Sequence, residues 1–167
     1  MTNPICEKKS ELVEKLGVHM ENTEQLAPVA ARILAYIILT GKVGTTFEDL
    51  VLKLCASKST ISTHLNHLQD LSKIKYFTKV GDRKKYFVIN QDKIIRKIDD
   101  MLSTWSEEKQ LHVEVKSYKQ SINALEHIDA SENFDLSFHN DYIQFIEEAT
   151  ASMKQLRTKI ENNNSEI

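Results

Sequence analysis

The stretch SKSTISTHLNHLQDL, residues 57–71, decides how the rest of the chain is read. Its pattern predicts a helix. With Ile61 at the centre of the inner face and about 100° per residue, Leu65, Leu68 and Ser72 fall within roughly 40° of it, and Leu71 lies on the flank. Ser59, Ser62, Thr63, Asn66 and Asp70 point the opposite way, with Lys58 and His67 beside them and His64 nearer the core edge. An ordinary surface helix would carry Glu and Lys on that face. Short hydroxyl and amide side chains suit a helix that lies in a major groove: long acids there would repel phosphate, whereas Ser, Thr and Asn can bond base edges and a Thr methyl can meet a thymine methyl. Ser59, Ser62, Thr63 and Asn66 are the candidate base readers. Ser57, Lys58 and Thr60 sit at the helix N-terminus, where free N–H groups favour a phosphate oxygen, and His67 borders the same face. A Ser/Thr-rich helix that is merely solvated is the competing reading, and the neighbouring segments weigh against it.

Upstream, TTFEDLVLKLCAS (45–57) offers two capping boxes, Thr45 with Glu48 or Thr46 with Asp49, for a short helix ending near Cys55. Ser57 then caps the next helix. Two helices joined by so short a turn form a helix-turn-helix. Before them, VAARILAYIILTG is apolar nearly all round and is expected to be central, opened by Pro28 and ended by Gly41 and Gly44. Further upstream, Leu12, Val13, Leu16 and Met20 make one helical stripe between Glu7 and about Asn22. Cys55, in an apolar context, is expected to be a small buried filler.

Downstream, KYFTKVGDRKKYFVIN (75–90) changes to strand formers around Gly81-Asp82, which predicts a hairpin turn there and a wing over 76–89. Arg83, Lys84 and Lys85 crowd its tip and Lys79 lies on the opposing strand, a set suited to DNA phosphates. An edge hairpin defended by charge would look similar, but would not explain the adjoining helix. The net charge is only −2, yet eleven basic and three acidic residues lie between Lys53 and Lys97, so that window is +8 and the remainder −10. Such a distribution marks a localised anion-binding surface.

The segments LAPVAARILAYIILTG, TFEDLVLKLCASKSTISTHLNHLQDLSKIKY and VGDRKKYFVI together resemble the winged helix-turn-helix of MarR-like transcriptional regulators, most closely the GbsR-type branch. The resemblance covers about residues 26–90 and is most specific in ASKSTISTHLNHL followed by the basic hairpin. It implies a homodimer on a pseudo-palindromic DNA operator, with dimer contacts from the terminal helices. Beyond Asn90 the likeness is one of layout. Such dimers often hold a small molecule between the DNA-binding lobes and the dimer helices, and the GbsR likeness implies a quaternary amine held by aromatic faces, for which Trp105, Tyr118 and Tyr142 are the candidate effector residues.

The expected fold is mainly α with a small β-wing: an N-terminal helix (1–25, a dimer or packing arm), the winged helix-turn-helix (26–90), long helices for dimerisation (91–161) and a flexible tail (162–167). In the third segment Ile94, Ile98, Met101 and Trp105 form one stripe, and Leu111, Val115, Tyr118, Ile122 and Leu125 another, with a kink or stutter expected near 106–110. Residues 129–135 read as a connection. Phe138, Tyr142, Phe145, Ala149, Met153, Leu156 and Ile160 then repeat at heptad spacing; a second copy or a monomeric helical hairpin would satisfy them. Two cysteines, no apolar run of membrane length and no signal core point to a cytoplasmic protein without membrane contact. His64 and His67 lack a third ligand, the adjacent carboxylates 99–100, 107–108 and 147–148 read as solvated faces, and no phosphate loop or nucleophile motif is present. The expectation is therefore a sequence-specific repressor with no catalytic residue, metal or cofactor. The alternatives are a winged-helix protein-interaction module and a small-molecule sensor that does not bind DNA.

Overall fold

Pro28 begins helix α2 (Pro28–Thr40), and Ala30, Ala31, Ile33, Leu34, Ala35 and Ile37 are buried along it, so the helix is enclosed on most sides. Its missing N–H falls where a helix has no internal acceptor for one. The computed structural model describes residues 4–125 and 130–164, and the chain divides into two compact units, residues 1–90 and 91–167.

In the first unit α1 (Pro4–Glu24) packs on α2 through Val13, Gly17 and Met20. A Cβ at Gly17 would come within 3.0 Å of Arg32 Cγ, so the glycine allows the close approach. Arg32 lies across this seam and pairs with Glu14 and Glu21. Helices α3 (Phe47–Leu54) and α4 (Lys58–Asp70) follow, then strands β1 (Ile74–Thr78) and β2 (Lys85–Ile89). The core joins Leu34 and Ile37 of α2 to Leu50 of α3, Ile61, Leu65 and Leu68 of α4, Ile74 of β1 and Phe87 of β2.

The strands are antiparallel with Ile74 opposite Ile89 and Thr78 opposite Lys85, so the wing loop is residues 79–84, wider than a two-residue turn. Thr45 adds a one-residue third strand: its N–H donates to the Phe87 carbonyl (3.0 Å) and its carbonyl accepts from the Phe87 N–H (2.8 Å). The chain enters this bridge through Gly44, at φ +75°, where a Cβ would lie 2.9 Å from Tyr86 Cβ; only glycine meets both conditions without strain. This is a winged helix-turn-helix.

The second unit consists of α5 (Gln91–Asn123), a single 3₁₀ turn at 130–132 and α6 (Ser137–Asn164). Paired groups run in opposite order along the two long helices: Asp99 with Arg157, Lys109 with Glu147, His112 with His139, Asn123 with Phe134. The helices are therefore antiparallel.

Two expectations are corrected here. The kink or stutter expected near 106–110 does not interrupt the helix, because α5 runs unbroken through these residues. Leu111 follows Trp105 by six residues, which rotates the stripe about 120° onto another face without any break. The chain end also differs: residues 162–164 form the last turn of α6, and the rest of the expected tail, 165–167, lies outside the described residues, as does Asp129 of the expected connection. No described helix is long and apolar enough to cross a membrane.

Candidate nucleic-acid interface

The turn between α3 and α4 is built by backbone geometry and caps. Of the two capping boxes open to the sequence, Thr46 and Asp49 form one: Thr46 Oγ1 accepts from the Asp49 N–H (3.2 Å) while Asp49 Oδ2 accepts from the Thr46 N–H (3.2 Å) and hydroxyl (2.7 Å). The Thr46 hydroxyl and backbone bonds outweigh partial burial and hold the Asp49 carboxyl below its usual range; Lys84 of the wing adds to this. Cys55 ends α3 in the left-handed region, φ 51°, and its side chain is exposed, which corrects the expectation of a buried filler. Leu54 and Ala56 on either side pack against the core in its place.

Ser57 caps α4, accepting from the Thr60 N–H (3.1 Å), and its hydroxyl also meets Ser59 Oγ (2.9 Å) and Thr60 Oγ1 (2.8 Å). Ile61, Leu65 and Leu68 anchor the helix to the core, and this fixes which way the other face looks. Lys58, Ser59, Ser62, Thr63, Asn66 and His67 are exposed; Thr60 and His64 are half-buried. A hydroxyl and amide surface thus runs along α4 from its capped N-terminus.

Helix α4 ends earlier than the wheel implied. Ser72, at φ 55°, donates its N–H to the Gln69 carbonyl (2.8 Å), and Lys73 donates to the Leu68 carbonyl (2.9 Å). These two bonds make a Schellman motif with serine where glycine is usual.

At the wing tip Gly81 takes φ +80° and the Asp82 N–H donates to the Lys79 carbonyl (3.0 Å). Asp82 accepts from the Tyr86 hydroxyl (2.7 Å) and the Lys84 N–H (2.9 Å). The Tyr86 bond is the main reason its carboxyl is held below the ordinary range, and the same bond raises the Tyr86 phenol. The tip's one acid is thus engaged within the loop. Lys79 Nζ lies 4.0 Å from the Tyr86 ring centroid and Lys85 Nζ 4.2 Å from that of Tyr76, so two cations are propped on aromatic faces. Lys58, Lys79, Arg83, Lys84 and Lys85 are exposed and form no ion pair with a carboxylate among the described residues. Lys73, counted in the basic window, does: it pairs with Glu24. The aromatic supports were not read from the sequence, although strand alternation at 76 and 86 was the available signal.

The three aromatic candidates for an effector do not converge within one chain. Trp105 and Tyr118 are thirteen residues apart on α5, about 20 Å along the axis. Trp105 lines a groove of about 370 Å³ with Leu102, Lys109, Ile146 and Glu147. Tyr142 instead packs against the His112 ring (centroids 4.3 Å apart) and donates to Glu108 (3.2 Å), and Tyr118 is exposed. Among the described residues no three His, Cys, Asp or Glu side chains could hold a metal ion.

No protein-family model matches the chain, and no curated protein matches it. Among solved structures, a crystal structure of a transcriptional regulator aligns with 18% identity and a TM-score of 0.49, covering 93% of this chain and 99% of its own. A mutant of S. aureus MepR aligns with 16% identity and a TM-score of 0.40, covering 93% and 92% respectively.

Proposed function

We propose that the chain is a DNA-binding transcriptional regulator of the MarR-like kind, with the GbsR-type layout, acting as a homodimeric repressor. One observation carries this reading: a helix anchored from below presents Ser59, Ser62, Thr63 and Asn66 outward, and the wing of the same unit presents Lys79, Arg83, Lys84 and Lys85 with its only acid engaged internally. In this reading α4 enters the major groove and reads bases with those four residues. Ser57, Lys58, Thr60 and His67 meet the flanking phosphates, and the wing cations lie along the backbone. Binding is an equilibrium whose affinity rests on counterion release.

The homodimer is supported by the second unit. Leu111 and Tyr118 of α5 are 61% and 65% exposed, and Phe138, Phe145 and Leu156 of α6 are exposed too. A second copy would cover such faces. The groove beside Trp105 is where a small effector would be sought.

Fluorescence anisotropy on duplex DNA across a salt series tests the reading. The full chain is expected to give a steep log–log slope. Arg83→Ala with Lys84→Ala and Lys85→Ala should reduce that slope by about three per protomer, alike on all sequences. Asn66→Ala or Ser62→Ala should leave the slope and cost about 1–3 kcal/mol of sequence preference. Unchanged affinity in the triple variant would refute the wing assignment, and a salt-independent affinity would refute the DNA reading.

A further inference from the structure

Between α5 and α6 a buried imidazole lies between a second imidazole and an ammonium. His139 is 7% exposed; its Nδ1 is 3.0 Å from His112 Nδ1 and its Nε2 is 3.0 Å from Lys119 Nζ. Neither contact involves a carboxylate, and the chemistry leaves one arrangement of hydrogens. An ammonium has donors only, so His139 Nε2 must accept. The ring's hydrogen is then on Nδ1 and is donated to His112 Nδ1, and His112 carries its own on Nε2. Both rings are neutral in this chain of bonds.

One added proton breaks it. On His139 the proton removes the lone pair that receives Lys119 and places two positive charges 3.0 Å apart. On His112 it sets a donor against a donor. The groups around the pair offer little compensation. From α5 come Glu108, Lys116 and Lys119; from α6 and its lead-in come Tyr142 and Asp135. Glu108 accepts from Tyr142, and Asp135 accepts from the Ser137 N–H (2.8 Å) and hydroxyl (2.9 Å). Lys116 adds a further positive charge, and Lys119 is also held over the Phe134 ring, 5.4 Å from its centroid. The His112 ring also packs against the aromatic rings of Phe138 and Tyr142.

We infer that the His112–His139 pair is a proton-responsive lock on the α5–α6 hairpin, closed while both rings are neutral and released when His139 is protonated. Burial first, then the charge of Lys119, then His112 whenever it carries a proton, and then the charge of Lys116 hold the His139 pKa below the ordinary 6.5. The open hairpin therefore binds more protons than the closed one, so the closed form is fully favoured above about pH 6.5 and loses ground as the pH falls from there through the lowered value.

Long-range ¹H–¹⁵N NMR of the full chain tests this directly. Near pH 7.5, His139 is expected as the Nδ1–H tautomer and His112 as the Nε2–H tautomer, with His139 titrating below 6.5. Hydrogen exchange along 112–123 and 137–146, corrected for the intrinsic rate, should report opening that rises by up to about tenfold per pH unit below 6.5, the slope of one proton. His139→Gln keeps a donor and an acceptor without titrating and should abolish that slope; Lys119→Met should raise the His139 midpoint. A midpoint at or above 6.5, an Nε2–H His139 at neutral pH, or an undiminished slope in His139→Gln would overturn the inference. The tautomer and midpoint in the unaltered chain decide the matter even if a variant fails to fold.

Discussion

The two units solve the same packing problem with opposite materials. In residues 1–90 the helices and the wing close over Ile33, Ile37, Leu50, Ile61 and Leu68, all completely buried, and polar groups serve as caps and seams. In residues 91–167 the hairpin keeps a small apolar part, with Ile98 of α5 and Ile146 of α6 buried, but Lys109, His112, Lys116, Lys119 and Asn123, half-buried along α5 at spacings of three and four, are polar. Lys–Glu, Arg–Asp, His–His and Tyr–Glu contacts tie this hairpin together. The apolar stripe through Leu111, Val115 and Tyr118 is left outside. Apolar periodicity reports that a face wants covering, and it does not say by which partner.

That distinction explains what could be read in advance. The order of helices, the N-caps, the inner face of α4 and the wing follow from apolar periodicity, capping residues and turn residues that are read locally, and their pattern has one solution. The register of α5 against α6 depends on His112, Lys119, Lys109 and Arg157, which read as solvated in a linear sequence because nothing local shows their partners. The exposed face of α4 was legible because Ile61, Leu65 and Leu68 fix its opposite side; the aromatic props under Lys79 and Lys85 were not, since they depend on cross-strand register.

The sharpest way to break the comparison is to charge the outer stripe. Leu111→Glu with Tyr118→Glu should leave the hairpin's own seam intact, since both side chains point away from it. If the stripe is covered by a second copy, burying those carboxylates costs about 4 kcal/mol, a thousandfold in dimer Kd. Sedimentation equilibrium reads this, with circular dichroism as the check that helix content is kept. Unaltered association would mean that another face joins the copies.

The next test sets core against seam. Ile61→Ala removes a side chain with no exposure and is expected to cost about 3 kcal/mol in urea unfolding of the first unit. Lys109→Ala removes an ion pair (2.6 Å) whose partners are 39% and 55% exposed, and should cost under about 1 kcal/mol. If Lys109→Ala proved as costly as Ile61→Ala, the polar seam would be far stiffer than solvent screening allows.

The smallest effect concerns the end of α4, where the first unit departs from its own rules. Ser72 occupies the left-handed region at the Schellman position, and its Cβ crowds the following carbonyl there. Glycine has no Cβ and relieves that cost, although it also gives the unfolded chain more freedom to lose. The relief is the larger of the two, so Ser72→Gly should stabilise the unit by about 0.5–1 kcal/mol, a rise of a few degrees in Tm for a region of this size. Ser72→Val should do the reverse, because a β-branched side chain tolerates positive φ least. Both substitutions leave the exposed hydroxyl and amide face of α4 untouched, so the DNA affinity proposed for this unit should follow neither change. Were Ser72→Gly to destabilise, the serine hydroxyl rather than the backbone would be holding the turn from α4 into β1.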